Sequence, residues 1–184
     1  MGIPTLIGSA HNVTSATASI AITSGLDATY DEYMFVCTNV ETSGDGHYFS
    51  FQVNASDDEG GDYDTSLITS SFFQASHAEG DGSSGLAYGT SWDLTQSASL
   101  QHITSDIDGD ADSCCDGILH LFNPASTTYV KHFYSRFATV YNSEAAYDCF
   151  CGGYINDTTA ITQIRFKFDA NDINNATIQM YGIA

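Results

Sequence analysis

Asp106-Ile-Asp-Gly-Asp-Ala-Asp-Ser-Cys-Cys-Asp116 puts a carboxylate at every second position through Asp106, Asp108, Asp110 and Asp112. Hard oxygen ligands at that spacing can turn around one Ca²⁺, as the first half of a calcium loop does. The second half departs from the pattern. Counted from Asp106, Ala111 stands where the loop needs Gly, and Gly117 where it needs a bidentate Glu. Two readings follow: a looser Ca²⁺ site on these four aspartates at the rim of a β-structure, or a solvated acidic loop. Asp57-Asp-Glu59 with Asp62 and Asp64 is a second cluster of the same kind. Its glycine pair equally suits a surface turn.

The softer ligands point nowhere in particular. His11, His47, His77, His102, His120 and His132 are scattered, with no H-E-x-x-H or other close metal pair. His120 and His132 fall in neighbouring alternating segments and could stand close. The five cysteines are Cys37, Cys114, Cys115, Cys149 and Cys151, without C-x-x-C spacing. Cys37 reads as a small core residue. Free thiols are expected, with one cross-strand disulfide between the two later pairs as the alternative. There is no G-x-S-x-G elbow, Walker loop or Rossmann glycine pattern. The expectation is a non-enzymatic protein with no catalytic residue.

Charge narrows the partners. There are 23 acids against 4 bases, for a net charge of −19. No Lys or Arg precedes Lys131; the other bases are Arg136, Arg165 and Lys167. Such a field repels phosphate, so nucleic acid is not an expected partner. Anionic headgroups are repelled as well. No apolar run approaches the ~20 residues that cross a bilayer as a helix, so membrane insertion is not expected. The first residues lack a positively charged segment followed by an apolar one. The chain is therefore expected to be made and kept soluble in a cytosol.

These side chains must be held by strands. Aromatics make up 12% of the chain and Pro occurs only twice, a composition of strands and polar turns. Alternation predicts strands over 18–23, 33–40, 47–55, 65–74, 117–122, 129–141, 146–155, 161–169 and 177–183. In 47–55, Phe49, Phe51, Val53 and Ala55 should face inward, and Ser50, Gln52 and Asn54 outward. In 129–141, Tyr129, Lys131, Phe133, Ser135, Phe137, Thr139 and Tyr141 share one side. Segments 56–64, 76–85 and 104–116 read as acidic loops. About ten strands and no helix in a single domain over 1–184 predict an all-β fold: a two-sheet antiparallel β-sandwich of jelly-roll type. The chain ends inside a predicted strand, so the expectation is a terminus tied into a sheet, with no tail or further domain after it. Tyr30, Tyr33, Tyr181 and Trp92 could give strands an amphipathic side for subunit contacts.

Three places carry a family resemblance. Thr5-Leu-Ile is followed by Gly25-Leu-Asp-Ala-Thr-Tyr-Asp-Glu-Tyr-Met-Phe-Val36. Asp116-Gly-Ile-Leu-His-Leu-Phe-Asn-Pro124 comes next. Last are Ile164-Arg-Phe and Asn171-Asp-Ile-Asn-Asn-Ala-Thr-Ile-Gln-Met-Tyr-Gly-Ile183. This framework resembles a family of short β-proteins of tailed bacteriophages, especially those of marine bacteria. The likeness covers about the first 40 and last 70 residues and carries no active site. The family often has Gly-Asn-Ile-x-x-Gly in the last turn, where this chain has Asn171-Asp172-Ile173 and Ala176.

The resemblance implies a virion structural protein, assembled in the host cytoplasm. It would decorate the capsid or form a short head or tail appendage. Its implied partners are itself, as a homotrimer, and other virion proteins of capsid or tail. A carbohydrate- or receptor-binding module of a tail fibre, bound to a host-surface glycan, is the alternative.

Overall fold

The computed structural model describes residues 2–57, 61–63, 65–141 and 144–184. Among them it is all-β, with twelve strands and no helix. The strands are β1 (Thr5–Val13), β2 (Ile20–Ile22), β3 (Glu32–Thr42), β4 (Phe49–Ala55), β5 (Ile68–Ala78) and β6 (Ser84–Tyr88). They continue with β7 (Gln101–His102), β8 (Cys115–Phe122), β9 (Lys131–Tyr141), β10 (Ala145–Ile155), β11 (Ile161–Phe168) and β12 (Ile173–Ile183).

They form two antiparallel sheets. One runs β1-β12-β3-β8-β9-β10-β5-β6 and the other β2-β11-β4-β7. Eight of the strands divide four and four between the sheets, β1-β12-β3-β8 facing β2-β11-β4-β7, with the chain changing sheet at every step but β4 to β7. That connectivity is a jelly roll, two Greek keys rolled together. The remaining four come from two inserted pairs, β5–β6 and β9–β10. They extend the first sheet beyond β8.

The core is aromatic and joins the sheets. Phe49 of β4 stacks on Phe166 at 5.8 Å, meets Phe168 at 5.5 Å, and crosses to Phe137 of β9 at 6.0 Å. Phe51 meets Phe133 at 5.1 Å, and Phe35 meets Phe166 at 5.6 Å. Strand alternation places these rings: in β9, Lys131, Phe133, Ser135, Phe137 and Thr139 are all buried.

Several expectations need correction. β4 is buried on both faces. Ser50, Gln52 and Asn54 do point away from the sandwich core, but other segments cover them. The Gln52 amide donates to the Ala98 carbonyl at 2.9 Å, and Arg165 donates to Gln52 Oε1 at 2.6 Å. Tyr63 lies over that guanidinium at 4.6 Å. Segment 76–85 is not a loop: β5 runs to Ala78 and β6 begins at Ser84. β1, β6 and the two-residue β7 had no clear alternation to announce them. Tyr33 and Trp92 serve the interior. Tyr33 is fully buried, and its hydroxyl pairs with Asp27 at 2.9 Å. Trp92 packs on Phe72 at 5.4 Å and Tyr48 at 6.1 Å.

The last turn works without the family's glycines. Asn171 takes φ +67°, a left-handed conformation that Asn tolerates better than most residues. Ser43 N–H donates to the Asp172 carbonyl, and Asp172 N–H to Ser43 Oγ, both at 3.0 Å. β3 carries its own irregularity: Asn39 takes φ +53° where the register shifts between Cys37 and Val40. The amide freed there donates to Asp116 at 2.7 Å.

Lys131 is buried at the start of β9. Its ammonium donates to the Asp157 carbonyl at 2.9 Å and to the Thr159 carbonyl, pinning the turn into β11. Burial pulls its pKa below the ordinary lysine value, against the pull of Asp157. The four tryptic sites are thus held in strands, and none precedes Lys131. Native protein is expected to stay whole under trypsin, because paired backbone resists cleavage. Denatured protein should release one large fragment ending at Lys131. Rapid native cleavage, read by mass spectrometry, would show that β9 to β11 open readily.

Candidate functional site: the outer face of the long sheet

The inserted strands give the eight-stranded sheet a broad outer face. Alternation turns His120 and Ile118 of β8, Tyr134, Arg136 and Ala138 of β9, Asp148 and Phe150 of β10, and Phe73, Ala75 and His77 of β5 away from the core. Register then sets them side by side: His120 opposite Tyr134, Ile118 opposite Arg136, and Phe150 between Arg136 and Phe73. Alanines between the larger side chains (Ala75, Ala138 and Ala146) leave a trough of about 670 Å³.

Two ring systems border it. On one side His120 stacks on Tyr134 at 4.5 Å, with Phe122 at 5.7 Å from Tyr134. His120 Nδ1 lies 2.5 Å from Glu32 Oε1, which orients the imidazole. On the other side Phe150 stacks on Phe73 at 4.8 Å and 5°. The Arg136 guanidinium lies 5.0 Å from the Phe150 centroid. Asp148 holds it by two parallel hydrogen bonds, 3.0 Å from Nε and 2.7 Å from Nη2. That carboxylate raises the Arg136 pKa above its ordinary value. Tyr134 is 48% exposed and Phe73 42%. On a chain of net charge −19, this is an apolar and aromatic face carrying one of the few cations. It can grip a flat polar ring by stacking and hydrogen bonds, or an apolar protein surface by burial.

The aspartates read as a Ca²⁺ loop are not brought together. Asp106 faces the hydroxyls of Tyr48 and Tyr141. Asp108 accepts the Asp110 amide at 3.1 Å, forming a local turn. Asp110 and Asp112 point into solvent. Among the described residues no three His, Cys, Asp or Glu side chains are grouped to hold a metal ion. In the second cluster, Asp58, Glu59 and Asp64 lie outside the described residues, and Asp57 accepts from Thr159 at 3.1 Å. All five cysteines are free thiols. His120 and His132 do not form a cross-strand pair, since His120 stands opposite Tyr134 in the β8–β9 ladder.

One buried pair resembles a catalytic arrangement. Ser50 Oγ lies 2.8 Å from His102 Nδ1. The Ser50 hydroxyl also donates to the Tyr48 carbonyl at 2.9 Å. Its single proton is therefore committed, and the histidine is the donor to the oxygen. The pair is a structural bridge between β4 and β7. Burial lowers the His102 pKa from its ordinary 6.5, outweighing the opposite pull of Asp169 and Asp106.

This has a consequence for acid stability. Below about pH 6.5 the unfolded chain takes a proton on His102 that the folded chain refuses. Stability is then lost as pH falls, by at most ~1.4 kcal/mol per pH unit from this one group. His102→Gln is expected to flatten the melting-temperature profile between pH 7.5 and 5. An unchanged slope would show that His102 protonates freely in the fold.

Of this face, the outward row of β9 was legible in the sequence. Phe73 and Phe150 were not, because their meeting depends on which strands pair. No protein-family model matches the chain, and no curated protein matches it.

Proposed function

We propose that the chain is a non-catalytic structural component of a bacteriophage particle, acting by self-association and by docking on capsid or tail. It would serve as a capsid decoration or as a short head or tail appendage. The observation that supports this most is the apolar outer face of the long sheet, built from strands inserted into a jelly-roll framework. Charge repels copies of this chain, so stable contacts are expected where exposed rings and small apolar side chains cluster, as they do here around the paired Arg136 and Asp148. The family resemblance adds the setting, and with it a homotrimer as the expected assembly.

The trough favours a second reading in particular. Exposed rings beside a bidentate Arg136–Asp148 pair also suit a host-surface glycan, so a receptor-binding module is the alternative. One experiment separates them. A labelled copy should be found on purified particles at a fixed copy number, and a glycan array should stay blank. Array binding that is lost in Tyr134→Ala would favour the receptor reading. A label absent from particles would remove the structural one.

A further inference from the structure

Among the described residues the long sheet ends in two open edges, β1 and β6. Edges are usually blunted by charge, proline or a bulge, because their unpaired N–H and C=O groups template pairing with another chain. β1 is blunted. Pro4 precedes it, Gly8 takes φ +69°, and its register breaks between Ile7 and His11. β6 is not. Ser84-Gly-Leu-Ala-Tyr88 is exposed throughout, and the run from Gly82 to Trp92 carries no charge in a chain with 23 acids.

Two hydrogen bonds fix which groups of β6 are free. Ala78 N–H donates to the Ser83 carbonyl, and Gly89 N–H to the Phe72 carbonyl, both at 2.9 Å. Antiparallel pairing alternates, so residues 83, 85, 87 and 89 bond to β5. The N–H and C=O groups of Ser84, Leu86 and Tyr88 therefore point out of the open edge. Their side chains lie on the same outer face as Phe73, and Leu86 is 73% exposed.

We propose that β6 pairs antiparallel with β6 of a second copy, about a two-fold axis at Leu86. The strand is self-complementary in that register. Leu86 meets Leu86 across the axis, and the bulky Tyr88 meets the small Ser84 on both sides. About six backbone hydrogen bonds form, and the two long sheets become one, with both troughs on the same side. A second copy suits this edge because the strand is self-complementary and itself uncharged, with the carboxylate of Asp93 held beside it by the Tyr88 hydroxyl at 2.7 Å, so like-charged chains meet there with little direct repulsion. The contact rests on the self-association reading and gives it a surface. In a trimeric component it would join trimers in pairs.

The test is the mass in solution by sedimentation, in roughly 0.15 M salt to screen long-range repulsion. Wild type should be an even oligomer: a dimer, or a hexamer where a three-fold contact also holds. Leu86→Pro removes an outward N–H without touching the ladder to β5, a position where an edge strand tolerates proline. It should halve the mass, weaken pairing roughly tenfold or more, and leave the melting temperature of the dissociated form unchanged. Leu86→Asp, which sets two carboxylates face to face, should do the same. A monomeric or odd-numbered wild type, or variants that keep the wild-type mass, would overturn the pairing. Labelling on the particle is read separately, so either proposal can fail without the other.

Discussion

Phe49→Ala is expected to destabilise the protein by about 3–5 kcal/mol, the range for emptying a large buried aromatic site. Phe49 is fully buried and touches Phe166 and Phe168 in its own sheet and Phe137 in the facing one. Its loss removes apolar burial and leaves a cavity lined by stiff rings on short strands, which cannot collapse to fill it. For a domain of this size, each kcal/mol moves the melting temperature by about 2–4 °C, so a fall on the order of 10 °C should be measured. Phe49→Leu should cost clearly less, because it keeps most of the volume. A small shift for alanine would mean that the two sheets are not locked together at Phe49. The same measurement on Phe73→Ala is the contrast. Phe73 is stacked but exposed, so its loss should barely move the melting temperature.

The second large effect concerns binding rather than folding. Tyr134→Ala combined with Arg136→Ala strips the centre of the trough. Tyr and Arg at the centre of an interface are the usual hot spots, and losing such residues costs ~2 kcal/mol or more. Affinity for the particle, or for a glycan on the alternative reading, should drop at least ~30-fold. Stability should be nearly unchanged, because Tyr134 is half exposed and an exposed Arg–Asp pair contributes little. Ala138→Trp tests the same surface in the opposite sense. It fills the trough without removing a ring, and it should block binding as well. If both variants bind like wild type, docking occurs elsewhere on the molecule. A variant that fails to bind but also melts early would report on folding, so the two measurements belong together.

Much of the framework was legible before any coordinates. Alternating apolar residues announce strands because side chains in an extended chain point to opposite faces. Phe49, Phe51 and Val53, and Phe133 and Phe137, lie buried where that period places them. Polar turns without helix-forming runs left a sandwich as the economical way to bury one face of each strand. The net charge and the lack of any base before Lys131 followed from counting alone.

Tertiary structure decided what lies between distant strands. Period alone says that Ser50 and Gln52 leave the core, but not that Ala98, His102 and Arg165 will cover them. Asp at every second residue suggested a shared ion, yet Asp106 turned to Tyr48 and Tyr141 while Asp110 and Asp112 stayed in solvent. The outer face depends on register across four strands, β8 of the framework with β9, β10 and β5 of the two insertions. It unites Phe73 with Phe150, and Arg136 with Asp148, which no local spacing encodes. The open edge at β6 arises in the same way. A short uncharged strand becomes a binding edge only when the sheet ends beside it. Local sequence sets which face a side chain takes; which strands become neighbours depends on the joint burial of all twelve.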